Sequence, residues 1–265
     1  PGLHNVITRC HNISACALLE TNECLPSFPD EENAIRVSTR IVVNSDISLQ
    51  FLQRDYACYA EKFHPVPINT SSLTSMGLCS PRSGVREYDF AVVASILTRP
   101  EKNLNFLLPV INHPRMLDKT WMIVGNEGEL FDHLDTVDHY KLLPRCELLE
   151  QLSRCKVIVH PAYYDSNPNT VQEAIKLGCL PLISNNVGGS DKYPEECVVT
   201  DYQVENWVEK AIHLSTNYER VRESFQEKMI CLDCVKDLCD LVSTVESDEP
   251  CAGFFDHSSP GGCVK

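Results

Sequence analysis

The chain has 265 residues, enough for one large domain or two small ones with a sizeable buried core. Hydrophobic residues make up 43% and charged residues 23%, an ordinary globular balance, and a formal net charge of −14 excludes non-specific nucleic-acid binding, which needs clustered Lys and Arg. The longest apolar run, Phe90 to Leu97, is far short of the roughly 20 residues of a spanning helix, so no transmembrane segment is expected.

In chain order, Val6–Thr8 and Ile41–Asn44 read as strands, with a helix through Ile47–Arg54. The Pro- and Ser-rich stretch from His64 to Ser83 reads as a linker between two units. From residue 88 onward the pattern alternates. Apolar runs of strand length lie at Phe90–Ile96, Met122–Val124, Val157–Val159, Leu180–Ser184 and Val198–Thr200. Helical candidates lie between and after them at 103–112, 127–135, 146–154, 168–177 and 203–216, and residues 219–242 read as a further helix. Short runs apolar throughout suit strands buried on both faces, and intervening helices imply parallel crossovers. The fold class is α/β, a Rossmann-like doubly wound parallel sheet. The tail from Glu246, rich in Gly, Ser and Pro, is expected to be irregular.

Fourteen cysteines are many for an α/β chain, and several, such as Cys155 and Cys179, stand where a core accepts a small apolar residue. Reduced thiols are favoured over a disulfide framework, which suits the cytoplasm. Sequons at Asn12 and Asn69 matter only in a secreted chain. Cys231, Cys234 and Cys239, with Cys251 or Cys263, allow a zinc site, but cysteines on the face of a helix are the favoured reading. No secretory signal is visible in the sequence, and the first residue is Pro1 rather than Met, as after a cleavage or in a piece of a longer parent polypeptide.

The most informative stretch runs from His160 to Gly178, following a buried strand and opening a helix. Asn167 suits the N-cap, Pro168 the first helical position and Gly178 the C-terminal cap. The N–H groups of Asn169 and Thr170 would then face the carboxyl ends of the strands and offer an anion site. Glu173, inside this helix, can grip the vicinal hydroxyls of a ribose, and Asp165, with Ser166 beside it, lies in the loop before it. From spacing alone, Asp165 capping a turn and Glu173 as a solvated helix residue is the narrowly favoured reading, whereas Arg99 and Lys102 as merely solvated loop charges is the less favoured one. No phosphate loop, dinucleotide fingerprint, His-Glu-x-x-His motif or Gly-x-Ser-x-Gly elbow is present.

Asp165, seven residues, then Glu173-Ala174 and Gly178 resemble the two-acid motif of GT-B glycosyltransferases, especially the large retaining family numbered four, with Asp in place of the usual first Glu. Phe90–Ile96 followed by Pro100-Glu101-Lys102-Asn103 is similar to that family's first donor-domain strand and its diphosphate-binding lysine. Ser95 stands where the family usually has Arg, and Arg99 is the candidate substitute. Trp121 to Asn126 resembles the next strand and its glycine turn at Gly125, and Leu143-Pro144-Arg145 the region that often borders the nucleobase. Asn185-Asn186-Val187-Gly188-Gly189 resembles a later glycine loop, which either lets backbone approach a ligand or simply turns. Ile7 to Asn12 resembles a strand ending in the His that faces the donor sugar, here His11, with a satisfied surface His as the competing reading.

The resemblance implies a GT-B-type fold with a truncated second α/β unit: residues 1–75 a shortened acceptor-side unit, 76–245 the nucleotide-sugar donor domain and 246–265 the tail. It implies transfer of a hexose or pentose from a nucleotide-diphosphate sugar to a glycan, lipid or protein hydroxyl, with the acceptor entering between the units. No bound metal or other cofactor is expected, and the anomeric configuration would be retained. Asp165, Arg99, Lys102 and His11 would serve catalysis; Glu173, Ser166, Asn167, Asn169, Thr170, Gly125 and Ser95 would bind the donor. Because the N-terminal unit is short, a non-catalytic donor-binding module that needs a partner chain is the alternative.

Overall fold

The computed structural model describes residues 6–10, 31–66, 86–228 and 253–256. His11, both sequons and the five cysteines of the zinc reading lie outside these residues. The chain divides into two compact units, Pro1–Asn69 with Cys231–Lys265, and Thr70–Ile230.

In the first unit, strands β1 (Val6–Cys10), β2 (Arg40–Val43) and β3 (Phe63–Pro65) are joined by β10 (Gly253–Asp256) in a parallel sheet of order β10-β1-β2-β3. The helix Asp46–Asp55 starts at Ser45, whose hydroxyl accepts the N–H of Ser48. Ile35, Ile41, Val43 and Leu52 form the buried interior. Two expectations are corrected. Residues 253–256 are a strand rather than irregular tail, and Gly253-Phe254-Phe255-Asp256 carries two residues of high β-propensity that the surrounding Gly, Ser and Pro obscured. The start of the expected linker is β3, which tolerates Pro65 because it is an edge strand.

The second unit holds six parallel strands: β4 (Tyr88–Ile96), β5 (Trp121–Asn126), β6 (Val137–Tyr140), β7 (Cys155–His160), β8 (Leu180–Ser184) and β9 (Val198–Val199). Their order is β6-β5-β4-β7-β8-β9, the doubly wound arrangement in which the chain starts at the centre, builds outward, then returns to the other side. Alternate side chains fill two cores. On one face Phe90, Trp121, Ile123, Val157 and Leu182 pack with Leu107 and Ile111 and with Trp207, Ala211 and Leu214 of the helix Val204–Thr216. On the other, Ala91, Met122, Val124 and Ile158 pack with Leu149 and Leu152 of the helix Arg145–Leu152 and Val171 and Ala174 of the helix Asn169–Lys176. No helix among the described residues is long and apolar enough to cross a membrane.

Residues 127–135 hold only a short 3-10 turn, Glu129–Phe131, rather than the expected helix. Glu127 takes a left-handed φ of 60°, and a side chain at Gly128 would strike the His139 ring, so the segment cannot wind regularly. The polar segment Val-Asp-His-Tyr that follows is β6, half-exposed at the sheet edge and therefore without an apolar run. Cys155 and Cys179 are buried free thiols, and burial pushes the Cys179 thiol up to about 12, so both are packing residues rather than nucleophiles.

Gly125 closes β5 with φ 157°, and a Cβ there would stand 2.1 Å from the Ala94 carbonyl oxygen and 2.8 Å from Leu97 Cγ. The register of β4 against β5 shifts between Val93 and Ile96, which brings that carbonyl over the glycine. Gly125→Ala is expected to cost about 2–3 kcal/mol, seen as a lowered thermal midpoint. An unchanged midpoint would mean that the two strands do not meet this closely.

Candidate functional site

Strand β4 pairs with β5 on one side and β7 on the other, and their following loops diverge to opposite sides of the sheet. Doubly wound sheets bind ligands at this switch point, outside the carboxyl ends of the strands. Here the two loops are tied together: the N–H of Tyr163, after β7, donates to the carbonyl of Glu101, after β4, at 2.9 Å. Lys102 ends a 3-10 turn, Pro100–Lys102, that Asn103 terminates in a left-handed conformation with φ 52°. Asn accepts that conformation at lower cost than most side chains.

The turn delivers Lys102 to Asp165. Lys102 Nζ lies 2.5 Å from Asp165 Oδ2, and His160 Nε2, at the end of β7, lies 3.0 Å from the same oxygen. Asp165 Oδ1 accepts the backbone N–H of Asn167 at 3.3 Å. The three side chains are 17%, 14% and 7% exposed for Lys102, Asp165 and His160, so this is a largely desolvated cluster. Burial pushes the Asp165 carboxyl up, but the His160 hydrogen bond and the Lys102 charge outweigh it and hold it well below its ordinary range. A carboxyl depressed in the folded state stabilises above its unfolded value of 3.8 and loses that contribution as pH falls through the acid range. Asp165→Asn should therefore reduce the drop in thermal midpoint between pH 6 and pH 3; an unchanged drop would remove Asp165 from the acid response.

The helix Asn169–Lys176 opens with Pro168 at its cap position and no side-chain cap. Asn167 is thus not the expected N-cap, because its Oδ1 instead accepts Gln172 Nε2 at 2.7 Å while its N–H serves Asp165. Leading N–H groups are left without a side-chain partner. Gly178, with φ 91°, ends the helix as expected, and the N–H groups of Gly178 and Cys179 return to the carbonyls of Ile175 and Ala174. Two buried amide nitrogens in these loops, Asn103 Nδ2 and Asn167 Nδ2, have no partner among the described residues.

Glu173 is not a solvated helix residue: its side chain is 8% exposed and its Oε1 lies 2.6 Å from Arg145 Nη2, itself 52% exposed. Burial raises its carboxyl above the ordinary value, and Arg145 opposes part of that rise. Asp165 does cap a turn, through Oδ1, while Oδ2 serves Lys102 and His160.

Other sequence candidates disperse. Arg99 pairs with Glu101 rather than joining Lys102, and Ser95 is exposed beside the β4 irregularity. Gly125 meets protein backbone at its missing side chain. Ser166 is buried, Thr170 half-buried and Asn169 exposed around the helix start. The loop 185–189 braces the site, with Gly188 N–H donating to the Asp165 carbonyl at 2.7 Å. His160 was missed as a site residue; the available signal was a histidine at the carboxyl end of a buried strand, directly before the informative loop.

Residues 87–217 match the family of glycosyl transferases group 1. No curated protein sequence matches the chain. Among solved structures, sucrose-phosphate synthase from Thermosynechococcus elongatus superposes with a TM-score of 0.64 at 14% identity, over 92% of this chain and 68% of that one. The catalytic domain of starch synthase IV from Arabidopsis thaliana, bound to ADP and acarbose, gives 0.67 at 12% identity, over 92% and 66%. TarM from S. aureus, in a complex that contains UDP, gives 0.68 at 11% identity, over 91% and 50%. At such identities these likenesses speak for the fold, and the family match for the kind of enzyme. Residues 87–217 are a glycosyl transferases group 1 domain, and the chain that carries it is a glycosyltransferase of the GT-B fold.

Proposed function

We propose that this chain takes a nucleoside-diphosphate sugar at the β4–β7 switch point and transfers the sugar to a hydroxyl of a glycan, lipid or protein. The observation that carries the reading is the pairing of Lys102 with Asp165 in the turn that leads into the uncapped start of the Asn169–Lys176 helix, the helix that also carries buried Glu173. Lys102 and the leading helix N–H groups neutralise the diphosphate without a bound metal. The amides of Asn103 and Asn167 add donors that no group among the described residues uses. Glu173 accepts the ribose hydroxyls, and Asp165 contacts the transferred sugar. UDP and ADP in the complexes of two similar structures favour the same ligand class here.

In the transfer step the bond from the anomeric carbon to the diphosphate oxygen breaks and one to the acceptor oxygen forms. The leaving diphosphate accumulates charge against Lys102 and the helix start, and accepts the acceptor's proton. Departure and attack on the same face retain the anomeric configuration. The free cysteines among the described residues suit a cytoplasmic setting.

The test is to incubate the chain with UDP-, GDP- and ADP-hexoses in EDTA and a panel of glycan, lipid and peptide acceptors. Mass spectrometry should find a hexose added to one acceptor and the matching nucleoside diphosphate released. Binding of the donor without transfer to any acceptor would instead favour a donor-binding module completed by a partner chain.

A further inference from the structure

Asp165 Oδ2 receives two donors at once, Lys102 Nζ and His160 Nε2, and nothing in the proposed reaction yet uses the second. A carboxylate accepts only, so Nε2 must carry the proton it donates. The histidine is fixed at the end of β7 and is the least exposed of the three side chains. The contact matters because of what the donor asks of Lys102. For that ammonium to reach a diphosphate it must loosen its hold on Asp165, and a buried carboxylate stripped of its paired lysine is strongly disfavoured.

We propose that His160 is a positioning residue: it holds Asp165 through Nε2, so that Lys102 can pass from the carboxylate to the donor's diphosphate without leaving Asp165 unpaired. The inference rests on the donor-site reading above and adds to it the residue that frees the lysine. His160 itself touches neither phosphate nor sugar in this role. The backbone N–H of Asn167 keeps the other oxygen, so the carboxylate stays oriented while Lys102 moves. The fit of a shortened acid is also explained, since Asp165 reaches His160 and Lys102 from a loop braced by Gly188.

The experiment is calorimetric titration of UDP, GDP and ADP into the full chain and into His160→Leu, His160→Gln, Asp165→Asn and the double variant His160→Leu/Asp165→Asn. With the nucleotide that wild type binds, His160→Leu should weaken affinity about tenfold, the worth of one charge-assisted hydrogen bond. His160→Gln, whose amide can reach the same oxygen, should recover most of it. Asp165→Asn should bind at least as tightly as wild type, because Lys102 is no longer held back. In that background His160→Leu should add nothing. Weakening of equal size in both backgrounds would mean a merely structural histidine and overturn the proposal, as would wild-type affinity in His160→Leu. Failure of wild type to bind any of the three nucleotides would sink the donor-site reading itself, a result that none of the His160 outcomes produces.

Discussion

Replacing Lys102 with Met is expected to lower kcat/KM about a thousandfold, the larger part of it in kcat. Charge on the leaving diphosphate is greatest as the bond to the sugar breaks, and a donor aimed there in a desolvated site is typically worth about 10²–10³ in rate. Lys102 is the cation that the switch point directs inward, held 17% exposed by its turn, while neighbouring Arg99 is spent on Glu101. Losing it also removes the charge that counters Asp165, though His160 and the Asn167 N–H remain on that carboxylate. The fold should therefore survive, and a circular dichroism melt will separate lost chemistry from lost structure. Arg is not a neutral replacement, because its planar fork is larger and matches a carboxylate in a bidentate way. Near-normal turnover in a folded Lys102→Met would place the diphosphate elsewhere.

Glu173→Ala should have the opposite profile: nucleotide affinity down about a hundredfold with little change in stability. Two hydrogen bonds from ribose hydroxyls to a carboxylate are each worth about 1.5 kcal/mol, which together make that factor. Stability is spared for a reason visible in the pair. Glu173 is buried and burial disfavours its charge, whereas Arg145 is half-exposed and keeps its hydration when the partner is removed. A variant that melts well below wild type would mark Glu173 as structural. One that binds nucleotide normally would remove it from the donor site.

Much of the second unit was legible because the physics is local. Strands buried on both faces are apolar throughout, as in Phe90–Ile96 and Leu180–Ser184, and the crossover helices between them fix the parallel order. Edge elements were less visible. The half-exposed strand Val137–Tyr140 carries no apolar run, and Leu130, Phe131 and Leu134 imitate a helical stripe in a segment that Glu127 and Gly128 keep from winding. Strand β10 was hidden because its pairing with β1 joins residues more than two hundred positions apart, beyond any periodicity.

The site divides in the same way. The order of motif pieces grouped Asp165, Glu173 and Lys102, and the geometry brings the lysine and the first acid into contact, while Glu173 pairs with Arg145. What spacing cannot express is competition between partners. Arg99 is two residues from Glu101 and pairs with it, while Asn167 trades its capping role for contacts to Asp165 and Gln172. Gly125, read as a ligand-facing turn, is occupied on its open side by the Ala94 carbonyl, a contact created by the irregularity of β4. His160 lies next to the motif yet outside its two-acid pattern, and only its 3.0 Å approach to Asp165 gives it a part.

The most direct test of the donor site is calorimetric titration of UDP, GDP and ADP, in EDTA, into the wild-type chain and Glu173→Ala. One nucleoside diphosphate should bind selectively without metal and lose about a hundredfold in the variant. Binding that requires a divalent metal, equal affinity in both proteins, or no binding by wild type would contradict the account.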